Sequence, residues 1–452
     1  MTRATTLRRR RTQLARHCDR PIVLWSGASS ARNFPHNPYP FRASSHFLYF
    51  AGISIENAVL KLDRGRAELF VNRANPSAAL WHGETPTSEE LALQAEADAA
   101  FPLSELGDRL ADAATIPVQD AKSYQHQSTL LQRPIHPDRP LSAIDREAAR
   151  AIVAVRSRHD EAALVEMCHA ARVTVAAHLA GMAATATATR EYEIRAAMEY
   201  EIARHHMRCA YPSIVTTRGD VLHNNCYDGA LQPGDLLLAD VGAETASGWA
   251  ADVTRTWPVS GTFSTTQRDV YDVVLAAHDA AIAAIAPGVE YRDIHLLAAR
   301  VLAEGCIDLG LLRGDADGLV ERDAHTLFFP HGIGHLLGLD VHDMEDLGDL
   351  AGYALGRTRS DRFGLGYLRL DRPLQAGMVV TIEPGFYQVP TLLNDPERRS
   401  RYRDVANWER LDTFRDARGI RIEDDVWVTP QGHEVLTAAL PATAATVQAQ
   451  IA

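Results

Sequence analysis

The stretch LLLADVGAETASGWAADVTRTWPV, residues 236–259, leaves this chain few ways to fold. An apolar run ends in Asp240, and Asp252 follows twelve positions later at the head of a second β-rich run. With the Gly- and Ser-containing ETASGW as the turn, the two runs predict a hairpin that sets both carboxylates side by side in an apolar interior. Two bare carboxylates in such a place repel each other and are costly unless neutralised. A cation is the usual remedy, and a cation needs more ligands than two.

The chain supplies them further on. HGIGH carries His331 and His335 in a Gly-rich turn, VVTIEPG sets Glu383 at the end of an apolar strand, and GIRIEDDVWV sets Glu423 in an alternating strand. Any one acidic residue beside a strand is commonplace. Two Asp, two Glu and one His in ordered, distinct contexts form an oxygen-rich donor set suited to hard or borderline ions in a two-metal site. Manganese comes first, cobalt or zinc next. Arg421 alternates with Glu423 in GIRIEDD, so a continuous strand would put both on one face, where the arginine could orient its neighbour by hydrogen bonding.

Bulk properties exclude several classes. At 452 residues the chain is long enough for two domains with their own cores. A net charge of −12 argues against a general nucleic-acid or anionic-membrane binder. The five cysteines form no CxxC pair, which argues against a disulfide framework or structural zinc and for a reducing, cytoplasmic compartment. No apolar run approaches the roughly 18 residues of a membrane span. Arg8 to Arg11 precede no apolar segment, so they read as an exposed helix face rather than a secretory signal. There is no GxSxG elbow and no nucleotide-binding glycine fingerprint.

In chain order, residues 1–150 predict a small α/β domain. LRRRRTQLARHC, SEELALQAEADAAF and LSELGDRLADAAT read as helices, and PIVLWSG, FRASSHFLYFAGI, NAVLKLD and AELFVNR as strands. A connecting segment near 140–160 leads into residues 151–452. There, the helices RSRHDEAALVEMCHAARVTVAAHLAG and EYEIRAAMEYEIARHHM precede the hairpin, and two more helices follow it. His205 and His206, adjacent on a helix, would point about 100° apart and read as structural.

The five segments LLLAD, ADVTRTWPV, HGIGHLLGLDVHD, TIEPG and GIRIEDD, in that order, resemble the pita-bread metallopeptidases: aminopeptidase P, prolidase, methionine aminopeptidase and the metal-free creatinase. FRASSHFLYFAG and LWHGET resemble the N-terminal domain of aminopeptidase P. The resemblance implies an α/β N-terminal domain followed by an α+β pita-bread catalytic domain. It implies two divalent ions, with Asp240 on one, His335 and Glu383 on the other, and Asp252 and Glu423 bridging. The hydroxide they share would attack the scissile carbonyl, with Glu383 carrying the proton to the leaving nitrogen. It implies substrate-facing roles for His223 in VLHNN, for His331, and for His342 in GLDVHD, the last two stabilising the tetrahedral intermediate. Trp81 matches a tryptophan that shapes a neighbouring subunit's site, and a homodimer or homotetramer is expected.

The expected activity is removal of an N-terminal residue preceding proline. Two versions stay open. The N-terminal domain with Trp81 favours an Xaa-Pro aminopeptidase acting on longer peptides. GLGYLRLDRPLQAGM resembles a prolidase segment whose arginine, here Arg369, clamps the carboxylate of an Xaa-Pro dipeptide. The insertion from 389 to 414 also leans to prolidase. Methionine aminopeptidase lacks such an N-terminal domain, and creatinase lacks the ligands kept here. A metal-free binding module is the remaining alternative. The aspartates are separated by eleven residues where the family commonly has ten, an extra residue that a turn absorbs.

Overall fold

The computed structural model describes residues 2–72, 79–110 and 112–451. The chain divides into two compact units, one running to Ala162 and including Asp346–Ala351, the other made of Ala163–Glu345 and Gly352–Ala452. The helix Ala143–Arg156 spans the boundary expected at 150/151.

In the first unit, strands β1 (Ile22–Trp25), β2 (Val59–Asp63), β3 (Arg66–Val71), β4 (Ala99–Pro102) and β5 (Ala114–Thr115) form one mixed sheet in the order β4-β3-β2-β1-β5. Three expectations fail here. SHFLYFA, expected as strand, is the helix Ser45–Ala51, because Ser44 caps the Phe47 amide and Gly52 closes the helix in the left-handed region. In SEELALQAEADAAF, helix stops at Gln94 and β4 follows. LSELGDRLADAAT forms two single 3-10 turns rather than a helix; its Ala111, like Arg73 at the end of AELFVNR, lies outside the described residues. Nor do Arg8 to Arg11 form one exposed face. Arg10 and Arg11 are buried, donating to the carbonyls of Tyr49 and Phe50 at the end of that helix, with Arg10 also paired to Asp160 at 2.8 Å.

The second unit opens with the helices Glu161–Thr185 and Glu191–Arg204. His205 and His206 lie just past the second helix, His206 at positive φ, so they are not helical neighbours. Next come β6 (Arg208–Cys209), β7 (Ile214–Thr216), β8 (Leu236–Asp240), β9 (Ala243–Glu244) and β10 (Thr254–Pro258). The expected hairpin exists: β8 and β10 pair antiparallel with Thr254 opposite Asp240, and β7 flanks β8. The connection is more elaborate than a turn, since β9 leaves to pair with β6 before ETASGW reverses the chain. Two helices, Thr265–Ala283, capped by Ser264, and Tyr291–Asp308, cross to the second half.

That half rests on one antiparallel ladder. Strands β11 (Val379–Ile382) and β12 (Gly385–Tyr387) face β14 (Asp424–Thr429) and β13 (Gly419–Arg421), and β15 (Gly432–Val435) extends β14. Ile382 opposes Asp424 and Gly385 opposes Arg421 in a single register, so Glu383 and Glu423 are directly opposed. The ladder is interrupted between them because Pro384 has no N–H to give. GIRIEDDVWV is therefore two strands, not the one continuous strand its alternation predicts. Arg421 and Glu423, two residues apart in that register, both line the same pocket.

Candidate metal centre and substrate pocket

A cavity of about 520 Å³ in the second unit is lined by Asp240, Asp252, His223, His331, His335, His342, Arg369, Glu383, Arg421 and Glu423, among others. Every site residue singled out in the sequence except Trp81 is at its wall. Trp81 sits on the short helix Ala79–His82 of the other unit, 79% exposed.

Each element has a local reason to deliver its side chain. Gly242 lets the β8–β10 connection close onto the Ala251 carbonyl, where any Cβ would collide. The amide of Asp252 donates to both carboxylate oxygens of Asp425 at 3.2 Å, fixing the backbone just ahead of β10. HGIGH runs beside β11: the amide of Glu383 donates to Ile333 O at 2.8 Å, and that of Thr381 to His335 O at 3.0 Å. Gly334 is required there because a side chain would enter the Thr381 carbonyl and the Tyr291 hydroxyl.

Three ligand atoms, one each from Asp252, His335 and Glu423, lie within 4.8 Å of one another. Glu383 adds a carboxylate oxygen 3.7 Å from His335 Nε2, and Asp252 Oδ2 lies 3.4 Å from the same nitrogen. Asp240 joins through Tyr211, whose hydroxyl is 2.6 Å from Asp240 Oδ1 and 2.5 Å from Asp252 Oδ1. A phenol has one proton and cannot donate to two anions at once. The cluster is short of positive charge, and the titration tendencies agree. Burial raises Asp240, Asp252 and Glu423 above the usual carboxylate range, with repulsion from neighbouring carboxylates adding to it at Asp240 and Glu423, and pushes Glu383 up to about 8.

His335 completes the test of fit. Its Nδ1 lies 3.0 Å from the Leu336 carbonyl, which can only accept, so Nδ1 carries the proton and the Nε2 lone pair faces the carboxylates. Burial lowers this histidine to about 4, keeping it neutral. A neutral imidazole lone pair among carboxylates fits a cation between them, and oxygens plus one nitrogen suit a divalent ion.

Arg421 is spread over three acceptors: Asp240 Oδ2 at 2.6 Å, Thr254 Oγ1 at 3.0 Å and the Tyr387 hydroxyl at 3.0 Å. Thr254 in turn donates to Glu423 Oε2 at 2.7 Å, so the arginine is linked to Glu423 through a threonine. His331 spends both nitrogens, Nδ1 on Gly332 O at 2.8 Å and Nε2 on the Tyr387 hydroxyl at 2.9 Å. His342 gives Nδ1 to Glu345 Oε2 at 2.5 Å, which leaves its Nε2 a lone-pair acceptor while the ring is neutral. Arg369 is held by Glu345 Oε1.

Sequence reasoning missed Tyr211, Thr254, Tyr387, Glu345 and Asp425. Thr254 carried a usable signal, standing two residues after Asp252 in a β run and so on its face. Tyr211 lies 29 residues before Asp240 in an unpatterned loop and carried none.

The comparisons with known proteins agree with this geometry. Residues 165–430 match metallopeptidase family M24, and residues 7–121 match the aminopeptidase P N-terminal domain. A Haemophilus influenzae Xaa-Pro aminopeptidase is 31% identical over 94% of this chain and 92% of its own. A human Xaa-Pro dipeptidase is 32% identical over 95% of this chain and 88% of its own. The solved structure of a Pseudomonas aeruginosa aminopeptidase superposes with a TM-score of 0.79 at 29% identity, covering 100% of this chain and 98% of that one. An Escherichia coli aminopeptidase P solved with the inhibitor Pro-Leu gives 0.79 at 26% identity, covering 100% and 98%. A pocket of converging carboxylates around a neutral histidine and a family match across most of the second unit lead to one statement: this chain belongs to metallopeptidase family M24, and with this donor set that membership implies divalent-metal binding.

Proposed function

We propose that this chain is an Xaa-Pro aminopeptidase, hydrolysing the bond between an N-terminal residue and a following proline with two divalent ions, manganese foremost and cobalt or zinc as substitutes. The observation that carries the reading is the gathering of four carboxylates and the Nε2 lone pair of His335 at one wall of a peptide-sized cavity. Asp240, Asp252, His335, Glu383 and Glu423 would hold the ions, which when bound supply a Lewis acid and a water made nucleophilic near neutral pH.

The chain's own residues do the rest. Glu383, ionised once the ions are in place, would receive a proton from the attacking water at Oε and pass it to the leaving nitrogen. His342, which burial keeps neutral, would present its Nε2 lone pair to a substrate donor while Glu345 holds the ring in place. His331, tied to Tyr387, would fix the pocket wall, and His223 would contact substrate from the loop after β7. Proline has no N–H, so such a site must admit a ring and do without that donor.

The proposal includes a cytoplasmic homodimer or homotetramer acting on proline-containing peptides. Five free cysteines support the compartment, and the exposure of Trp81 supports cover by a second copy. No helix among the described residues is long and apolar enough to cross a membrane.

The second reading, a prolidase, is favoured by Arg369 at the pocket wall. Manganese-loaded protein should cleave Ala-Pro-Ala-Ala efficiently and with little dependence on Arg369. Cleavage confined to Ala-Pro and lost in Arg369→Ala would replace the first reading by the second. Failure to cleave either, with metal bound, would remove the proline assignment.

A further inference from the structure

The wall of the pocket already holds a carboxylate, and the chain itself supplies it. Glu345 lies on the 3-10 turn Glu345–Leu347, three residues beyond His342. Its two oxygens are divided between two pocket groups: Oε1 accepts from Arg369 NH1, and Oε2 accepts from His342 Nδ1 at 2.5 Å. The other two arginines at the wall are committed elsewhere. Arg421 is enclosed among Asp240, Thr254 and Tyr387, and Arg359 donates to the Gly366 and Leu368 carbonyls. Arg369 is thus the guanidinium available at the mouth, with its side chain 36% exposed. An arginine fork is the natural partner of a carboxylate, and this one is neutralised before any substrate arrives. Hydrogen bonding from His342 and the charge of Arg369 hold Glu345 down to about 2, so it stays ionised at working pH.

We propose that Glu345 is a specificity-determining residue, an internal carboxylate that occupies Arg369 and lowers the pocket's affinity for substrates that would place a free carboxylate there.

The substrate part of this inference rests on the proposed peptidase activity. An incoming dipeptide carboxylate must displace Glu345 or share the guanidinium with it, and sharing sets two anions against each other. A longer peptide, whose proline carbonyl is an amide, has no such conflict. The sequence feature that pointed to dipeptides is therefore countered by its neighbour 24 positions earlier. The pair is part-exposed, with side-chain accessibilities of 36% and 45%, so its effect is of the size of a surface ion pair, about fivefold in affinity.

The test compares wild type with Glu345→Gln, which keeps an acceptor for His342 but removes the charge. Manganese-loaded enzymes are assayed on Ala-Pro, Ala-Pro-amide and Ala-Pro-Ala-Ala. The ratio of kcat/KM for Ala-Pro to that for Ala-Pro-amide should rise about fivefold in the variant, carried by KM, with the tetrapeptide following the amide. A calorimetric arm needs no turnover: the variant should bind L-proline about fivefold more tightly relative to L-prolinamide than wild type does. A shift equal on all substrates, or an L-proline preference that is unmoved or undetectable in both proteins, overturns the proposal. Absence of peptide cleavage with a shifted L-proline preference would defeat the activity reading and leave the carboxylate inference standing.

Discussion

Replacing Thr254 by valine tests the wiring of the metal centre without changing its shape. Thr254 is fully buried, and valine fills the same volume, so no cavity term enters. What is lost is the hydroxyl, which donates to Glu423 Oε2 at 2.7 Å and accepts from Arg421 Nε at 3.0 Å. The bond from Arg421 involves a charged group and is worth about 1.5–3 kcal/mol when a partner is removed, and that to Glu423 about 1–3 kcal/mol. Arg421 keeps Asp240 and Tyr387, so the expected cost to the metal-free fold is about 3 kcal/mol, toward the lower end for two bonds. Glu423, left to rotate, should bind its ion about 10–100-fold more weakly. Calorimetric titration of manganese against a competing chelator reads the affinity, and urea unfolding of the chelated protein reads the stability. A manganese affinity within about twofold of wild type, whatever happens to stability, would refute the view that Thr254 orients Glu423.

Two further predictions concern backbone and burial. Gly242→Ala would drive a methyl into the Ala251 carbonyl and to 2.8 Å from Tyr211 Cε1, displacing the tyrosine from both aspartates. Thermal unfolding should show a loss of about 4 kcal/mol or more, and an unaltered melting temperature would mean the connection can move aside. Burial lowers His295 to about 3 and His325 to about 4, well below the unfolded value near 6.5. The unfolded chain therefore takes up these protons first. Their contribution is complete above about pH 6.5 and declines toward pH 4 by up to about 1.4 kcal/mol per pH unit for each ring. His295 has no partner on either ring nitrogen among the described residues, so His295→Leu should flatten the loss of urea stability between pH 7 and 5 at little cost at pH 7. An unchanged slope would show that His295 does not govern acid stability.

Three of the candidate ligands were legible in the sequence because they end an apolar or alternating run: Asp240 after LLLA, Glu383 after VVTI and Glu423 after GIRI. Strand ends are where period-two patterns stop, and with the Gly-rich turn of His335 and the β run headed by Asp252 they make five contexts whose order is hard to produce by accident. The supporting groups were not legible, because support is a property of folded distance. Tyr211 reaches Asp240 and Asp252 from an unpatterned loop, and Asp425 acts through a backbone amide 173 residues away. The misread elements fail for local reasons. SHFLYFA is aromatic enough for a strand, yet Ser44 and Gly52 close it as a single capped helix. GIRIEDDVWV alternates cleanly, but its break is imposed by Pro384 on the opposite strand. Arg369 was readable as a carboxylate partner; that Glu345 already fills the role was not.

The opposed pair Glu383 and Glu423 carries one more consequence. Like charges facing each other across an antiparallel ladder work against the pairing that brings them together. With no ion bound, burial favours a proton on both carboxyls, and ionising them for metal binding sets two charges against the ladder. Any ion that binds the folded site but not the unfolded chain shifts the balance by mass action, in proportion to the logarithm of its free concentration. Scarcity of that ion would not only idle the enzyme but shorten the life of the molecule, raising the fraction open to proteases. Mineral supply would then govern how much of this protein persists, as well as how fast it works.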